Sequence, residues 1–213
     1  MKHIKYILLA LLFVFIQSCD LTDDPAITGT NTQSMAGEWY LELLGLDSSV
    51  AVGHSLHTTS NTAANLPNEM WFSDGGHVYH HQNKIDVNTA TGTFSATNAI
   101  NILYSGLTGT PTGTPVVALG TVKAFTSGDP ERITITDGKI SQETFIAPSK
   151  TRTDYFSCNI TYILRTVSFT AASYSINGTD TTVVWNRGSE MDEPDGPYIL
   201  AGYRRTGFLE DEH

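Results

Sequence analysis

Apolar and polar residues alternate in short runs along most of the chain, and Gly, Asn, Asp and Pro separate these runs. An alternation of period two is typical of β-strands, because successive side chains of a strand point to opposite faces. No long stripe with the 3.6-residue period of an amphipathic helix is present. We therefore predict an all-β chain, with strands at Gly37–Leu44, Glu69–Ser73, His77–Gln82, Lys84–Val87, Gly92–Thr97, Ala99–Tyr104, Val116–Phe125, Arg132–Thr136, Lys139–Ile146, Asp154–Arg165, Thr182–Trp185 and Tyr198–Thr206.

Turn signals separate the predicted strands. Asp137-Gly138 lies between two alternating segments and predicts a hairpin, because both residues tolerate the positive φ of a type I′ turn. Asp74-Gly75-Gly76 predicts a similar connection, and Thr89–Gly92 predicts a looser turn. Two segments rich in Gly, Thr, Pro or acids, Leu107–Pro115 and Gly188–Pro197, are interpreted as solvated loops.

The N-terminus departs from this pattern with a nearly unbroken apolar run, Ile7–Ile16, behind Lys2 and Lys5. The run is shorter than the roughly 20 residues of a transmembrane helix and fits the core of a signal peptide. It ends just before Ser18-Cys19, which resembles the processing site of bacterial lipoproteins. We predict a signal peptide over residues 1–18, a lipidated Cys19 with a flexible tether over 19–34, and one domain over 35–213.

Asp20, Asp23 and Asp24 make the beginning of the predicted tether acidic. Acidic residues soon after a lipidated Cys resemble the export tag of surface-exposed outer-membrane lipoproteins. The expected location is therefore the outer membrane of a Gram-negative envelope, with acyl chains such as palmitate on Cys19 as the membrane contact.

Charge and composition exclude several classes of function. The formal net charge of the whole chain is −10, and loss of Lys2 and Lys5 with the signal peptide would make it −12. Such a surface repels phosphate backbones, so no nucleic-acid partner is expected. With Cys19 lipidated, Cys158 remains as a single thiol, and neither a disulfide nor a Cys-based metal site is expected. No Gly-rich loop opens a helix, so no nucleotide cofactor is expected.

Short strands joined by hairpin turns are compatible with a sandwich or an up-and-down barrel. Gly37-Glu38-Trp39 opens the first strand and resembles the Gly-x-Trp signature of lipocalins and other calycins. In that fold the Trp plugs one end of the barrel and an Arg of the last strand covers it. Arg204 and Arg205 are both on the predicted last strand, and the bulkier face of that strand favours Arg205 as the residue that covers Trp39. We predict a calycin/lipocalin-like antiparallel up-and-down β-barrel in which the first and last strands close the sheet.

Three segments carry a more specific resemblance: Gly202–Glu212, Ala36–Tyr40, and Asn61–Asn65 leading to Met70-Trp71. Together they resemble a family of lipoproteins from Gram-negative gut anaerobes, the lipid-binding putative hydrolases. The resemblance covers roughly Met35 to the end of the chain. It implies a calycin-like β-barrel and a link to lipids, and it supplies no catalytic residues.

Aromatic residues on the predicted strands are candidates for lining an apolar cavity inside the barrel. We select Trp39, Trp71, Tyr79 and Tyr203 as the predicted ligand-binding residues.

His54, His57, His77, His80 and His81 are numerous but do not converge on one strand face, so they are interpreted as exposed or pocket-mouth residues and not as metal ligands. No Gly-x-Ser-x-Gly nucleophile motif is present.

These observations leave two main hypotheses. The first is a non-catalytic envelope lipoprotein that binds a lipid or another apolar molecule in the cavity of a β-barrel. The second is an envelope hydrolase acting on lipid or glycan esters. The missing nucleophile motif favours the first hypothesis. A third possibility is an accessory protein that docks onto an outer-membrane complex.

Overall fold

The computed structural model describes residues 29–107, 109–112 and 116–212. The predicted signal peptide, Cys19 and most of the predicted tether lie outside the described residues. Within the described residues the regular structure consists of nine antiparallel strands and a short 3-10 turn at Leu209–Asp211. The strands are β1 (Gly37–Leu44), β2 (Val50–Asn61), β3 (Glu69–Ser73), β4 (Gln82–Asn88), β5 (Thr93–Ile100), β6 (Val122–Thr126), β7 (Arg132–Ile146), β8 (Arg152–Asn177) and β9 (Asp180–Arg204).

Eight of the nine strands form a closed ring. The order β8-β7-β5-β4-β3-β2-β1-β9 is completed by pairing of β9 with β8. The predicted pairing of the first and last strands is confirmed, with Trp39 opposite Arg204 and Leu43 opposite Leu200. Closure removes the free edges of these strands, which would otherwise be open to pairing with other chains.

The two longest strands, β8 and β9, contribute both to the ring and to an extension beyond it. The first part of β8 pairs with β7 and with the end of β9, and so belongs to the ring. From Thr166 onwards β8 pairs with β6 on one side. On its other side this part of β8 pairs with the beginning of β9, which follows the turn at Gly178. The result is a three-stranded arm that extends beyond the ring. Val167 and Phe169 are buried on one face of this arm.

Alternation fills the ring interior with apolar side chains. In β1 the inward residues Trp39, Leu41 and Leu43 are buried, whereas the intervening Tyr40 and Glu42 are partly exposed. The same alternation in the other ring strands contributes Met70, Phe72, Ile85, Phe94, Ile133, Ile135, Phe156, Cys158, Ile160, Tyr162 and Leu200 to one continuous core.

Several predicted segments require correction. The predicted strand at His77–Gln82 is a turn between β3 and β4 as far as His81. The predicted strands at Gly92–Thr97 and Ala99–Tyr104 are a single strand, β5, which ends at Ile100. The predicted strand at Val116–Phe125 is limited to β6. Strand β2 was not predicted, because its inward side chains include polar residues and most of its length is exposed. The predicted loop at Gly188–Pro197 is part of β9.

The predicted hairpin at Asp137-Gly138 is also wrong. Both residues lie within β7, where the pairing of β7 with β8 shifts register between Thr136 and Lys139. Asp137 has a φ of 55°, and a Cβ on Gly138 would lie 2.2 Å from the carbonyl oxygen of Phe94. A β-bulge and a tight turn both favour small residues and residues that tolerate a positive φ. The sequence alone therefore does not distinguish the two.

Candidate functional site

One end of the ring is closed by Trp39 and Arg204. The Arg204 guanidinium lies 4.6 Å from the centre of the indole ring, and its Nε donates to Asp154 at 2.8 Å. Its Nη1 donates to the carbonyl oxygen of Ala36 at 2.7 Å. A Cβ on Gly37 would lie 2.4 Å from this Nη1, so the glycine of Gly-x-Trp provides the space that the guanidinium occupies.

The preference for Arg205 as the residue over Trp39 is wrong. Arg205 points to the outside of the ring and forms ion pairs with Glu38 at 2.8 Å and Glu212 at 2.6 Å. The face of β9 with the bulkier residues, Tyr203 and Arg205, points outward. Tyr203 is nevertheless buried, because other residues pack over it on the outside of the ring. The phenol of Tyr203 packs on Phe145 and donates to the carbonyl oxygen of Asp211.

At the centre of the ring, where the ligand cavity was predicted, the described aromatic side chains pack against one another. Phe156 lies at the centre, with ring centroids 5.4 Å from Trp39, 5.9 Å from Phe72 and 4.8 Å from Phe94. All four of these aromatic residues are buried. Trp39 is therefore a core residue that closes the ring.

The four predicted ligand-binding residues do not come together. Trp71 is on the outer face, where the Lys84 ammonium lies 5.6 Å from the centre of its ring. Tyr79 lies in the turn after β3 and donates to Asp195 at 2.5 Å. Tyr203 lines a pocket of apolar character on the outside of the ring.

This pocket, here called the aromatic groove, has a volume of about 320 Å³. Its apolar lining is provided by Leu44, Phe145, Pro148, Tyr155, Ala201 and Tyr203. The floor is the outer face of β1, β9 and β8, because Tyr155 is paired with Tyr203 across the strands. Phe145 stacks on Tyr203 with a centroid distance of 4.8 Å and an interplanar angle of 6°, and this stacking forms one wall.

The remaining lining of the aromatic groove is polar. His54 Nδ1 lies 3.3 Å from a carboxylate oxygen of Glu42, so one edge carries an acid and an imidazole. Near the opposite wall, the buried Asp211 accepts from the backbone N–H and the hydroxyl of Ser149, both at 2.6 Å. These two hydrogen bonds hold the loop that carries Pro148 in place, so this wall of the groove is preformed.

A second group of polar residues lies inside the ring, next to the turn after β3. His57 and His81 are fully buried, which corrects their interpretation as exposed or pocket-mouth histidines. His57 Nδ1 donates to the carbonyl oxygen of Ser55 at 3.1 Å, and His81 Nδ1 donates to Oδ1 of Asn83 at 2.8 Å. Burial lowers the pKa of His57 to about 4, and it also lowers the pKa of His81.

Asp74 organises the turn next to these histidines. Its carboxylate accepts from the backbone N–H groups of Gly76, Val78 and Tyr79 at 2.7–3.1 Å. Burial opposes ionisation of this carboxyl, but His81 and these N–H groups outweigh it and hold its pKa below the usual value. The turn signal Asp74-Gly75-Gly76 was visible in the sequence, whereas the burial of the neighbouring histidines was not.

The described hydrogen bonds include none from a serine or cysteine side chain to the imidazole ring of His57 or His81, so no nucleophilic triad is formed there. Burial raises the pKa of the Cys158 thiol and keeps it protonated. Within the same residues no group of three or more His, Cys, Asp or Glu side chains is arranged to hold a metal ion. A helix long and apolar enough to cross a membrane is also absent from this part of the chain.

No curated protein shows a significant match to this chain. A family model described as "Lipid-binding putative hydrolase" matches residues 24–209, which include all nine strands and the aromatic groove. The chain therefore belongs to the lipid-binding putative hydrolase family.

Proposed function

We propose that this protein is an envelope lipoprotein that binds an apolar chain in the aromatic groove without turning it over. The observation that carries the proposal is the groove itself, which is lined mainly by apolar and aromatic side chains and has a fixed wall. Membership of a family named for lipid binding supports it. The site differs from the one predicted from sequence, because packed aromatic side chains occupy the centre of the ring.

Binding in such a groove is driven by removal of methylene groups from water. Each buried methylene contributes about 0.8 kcal/mol, and association and ordering of the chain offset part of this gain. A groove open along one side buries a ligand incompletely, so we expect micromolar affinity for a long-chain lipid and weaker binding for each methylene removed.

A charge in the groove tests this proposal. The lipid-free chain from Asp20 to His213 is titrated with cis-parinaric acid, a fluorescent fatty acid. The same titration is then carried out on the Leu44→Glu and Val122→Glu variants. Leu44 lines the groove, whereas Val122 is an exposed residue of β6 on the arm and serves as the matched control. We expect at least a tenfold loss of affinity for Leu44→Glu and none for Val122→Glu. Equal affinities for all three forms would refute binding in the groove.

The calycin-like barrel is the fold that we infer for the ring. Its support is the Gly-x-Trp start of β1, the Arg204 guanidinium over Trp39, and the pairing of β1 with β9. Superposition of an experimental structure on known calycins tests this inference. A strand order or shear unlike that of calycins would refute it.

Membrane attachment through Cys19 is a separate proposal. The supporting pattern is the charged start, the apolar run and Ser18-Cys19. Stable anchoring needs more than one acyl chain, as lipoprotein processing provides. Cys19→Ala should release the protein from outer-membrane fractions, whereas Cys158→Ala, which removes a buried thiol, should leave it attached. Retention of the Cys19→Ala protein in the membrane would refute the anchor, and protease protection on whole cells would refute surface exposure.

Ester hydrolysis is the alternative, and one observation favours it. His81 Nε2 lies 3.9 Å from the carboxylate of Asp74, whose pKa is held below its usual value, and an imidazole beside a carboxylate can act as a general base. An assay with p-nitrophenyl esters decides between the two functions. Turnover that His57→Asn or His81→Asn abolishes would favour the hydrolase, and the absence of turnover by protein that binds cis-parinaric acid would favour the binding function.

A further inference from the structure

The buried polar residues near the turn after β3 form a row across three strands. Thr58 of β2 is paired with Ser73 of β3, and Ser73 is paired with Gln82 of β4. One step beyond these pairs, His57, Asp74 and His81 are therefore neighbours at the same level of the sheet. All three are completely buried.

Tyr162 of β8 meets this row from across the interior. Its ring centroid lies 5.7 Å from the imidazole of His81, and the residue is completely buried. Tyr162 and His81 are therefore close to Asp74 as well, whose Oδ2 lies 3.9 Å from His81 Nε2. Phe72 packs against both histidines, with ring centroids 5.9 Å from His57 and 5.6 Å from His81.

The hydrogen bonds at the other side of each imidazole fix its tautomer. A carbonyl oxygen accepts from His57 Nδ1, so this nitrogen carries the proton and Nε2 carries a lone pair. Asn83 uses its Nδ2 to donate to the carbonyl oxygen of Ala99, so its Oδ1 accepts from His81 Nδ1. His81 Nε2 is then also an acceptor, and it lies 3.9 Å from the acceptor Oδ2 of Asp74.

Three polar atoms of this cluster have no hydrogen-bond partner among the described residues: His57 Nε2, His81 Nε2 and the hydroxyl of Tyr162. Buried polar atoms are nearly always paired with protein or with ordered water, and unpaired ones are costly. Two of the three atoms are acceptors and the third can donate or accept. The group complementary to them has at least one hydrogen to donate and can also accept one.

We propose that His57, His81 and Tyr162 form an interior binding site for a hydroxyl group, which accepts from the phenol and donates to imidazole Nε2: water has a hydrogen for each of the two Nε2 atoms, and an alcohol donates its single hydrogen to one of them. The hydroxyl belongs to a water molecule or to an alcohol. This site is separate from the aromatic groove, and it stands whether or not the groove binds lipid. A metal ion is not the occupant that this geometry selects, because the described side chains do not offer three suitably placed ligands there.

The first test measures the two tautomers in the lipid-free chain from Asp20 to His213, labelled with ¹⁵N. Long-range ¹H–¹⁵N correlation spectra at pH 7.5 should show a protonated Nδ1 and an unprotonated Nε2 for both His57 and His81. A protonated Nε2 on either neutral ring would place a donor where the proposal requires an acceptor, and would overturn it.

The second test detects the hydroxyl group. Magnetisation transfer from a long-lived bound water to the ring protons of His57 and His81 should be present in the natural protein and lost in Tyr162→Phe. Tyr174→Phe is the matched control, because that hydroxyl donates to the carbonyl oxygen of Val117 on the arm. The proposal fails if transfer is absent from the natural protein and ethanol produces no saturable shift of either imidazole.

Two further outcomes are decisive. Saturable shifts of both imidazoles on titration with ethanol, with loss of the water signal, would show that the site takes an alcohol hydroxyl. Water signals that ethanol does not displace would show a site for water. Stoichiometric binding of Zn²⁺ that shifts both Nε2 resonances would overturn the proposal in favour of a metal site.

Discussion

The burial of His57 predicts that the domain loses stability in mildly acidic solution. The perturbation is a change from pH 7.5 to pH 4.5, compared between the natural chain and His57→Asn. Asparagine keeps an N–H group that can donate to the Ser55 carbonyl oxygen and removes the titration of the imidazole.

The magnitude follows from the two pKa values of one imidazole. Burial lowers the pKa of His57 in the folded protein to about 4, against 6.5 in the unfolded chain. Between these values the unfolded state binds more protons than the folded state, so stability is fully present above pH 6.5 and is lost as the pH falls towards 4. At pH 4.5 the expected loss from this one group is about 2.5 kcal/mol, or about 5–10 °C in Tm for a domain of this size.

Two neighbours influence the profile. Burial also lowers the pKa of His81, so His81 adds a loss of the same sign over the same acidic range. The pKa of Asp74 is lowered from 3.8, so its contribution is lost only as the pH falls below that value. The histidine effect is therefore measurable at pH 4.5, before the carboxylate effect begins.

Urea unfolding followed by tryptophan fluorescence, at several pH values between 7.5 and 4.5, provides the free energies. His57→Asn should be less stable at pH 7.5 but should lose about 2.5 kcal/mol less than the natural chain by pH 4.5. Equal losses in both proteins, or a natural chain whose stability does not change over this range, would show that His57 is not buried as a neutral imidazole.

Three other substitutions test the packing of the ring. Phe156→Ala removes the central aromatic ring and should lower the free energy of unfolding by about 3–5 kcal/mol in urea titrations; a loss below 1 kcal/mol would mean that the interior is not packed around it. Gly202→Ala should loosen β1, measured as faster amide exchange in that strand, because the new Cβ would lie 1.9 Å from a β1 carbonyl oxygen, whereas Gly128→Ala has open space and should have no effect. Arg204→Met should cost about 1–2 kcal/mol through loss of the contact with the indole, and Arg205→Met, which removes exposed ion pairs, should cost less than 1 kcal/mol; equal costs would contradict the assignment of Arg204 to the closed end.

The sequence predicted the elements whose inward face is purely apolar. Strand β1 has the predicted bounds, and Trp39, Leu41 and Leu43 share one face as alternation requires. The pairing of β1 with β9 followed from the general need to close a sheet. Closure itself depends on the register between strands far apart in the chain, and local alternation does not specify that register.

Polar residues inside the sheet account for most of the errors. In β2 the inward positions include His57 and Thr59, so the strand lacks an apolar face in the sequence. In β9 the acids resemble a solvated loop, but Asp192 forms ion pairs with Arg165 of β8 and Arg132 of β7. These partners lie tens of residues away, and their compensation of the acid is visible only in the folded sheet.

The candidate site was predicted only in part. Tyr203 was selected as an aromatic that could contact a ligand, and it does line the aromatic groove. The groove itself depends on Phe145 folding back over β9 after a register shift in β7 between Ser141 and Phe145. A backbone irregularity of this kind produces no periodic pattern in the sequence. The apolar pocket was therefore predicted in the interior, whereas the structure has it on the outer face.

The pairing of β1 with β9 has a consequence for how the domain reaches its folded state. Trp39 and Arg204 come from opposite ends of the domain, so the ring closes only after almost the whole chain is available. Contacts between such distant residues carry a large loop-closure entropy and slow the folding of β-proteins. During synthesis β1 therefore keeps one unpaired edge until the last strand arrives, and the acidic surface of the chain, through mutual repulsion, disfavours association between unfinished copies in that interval.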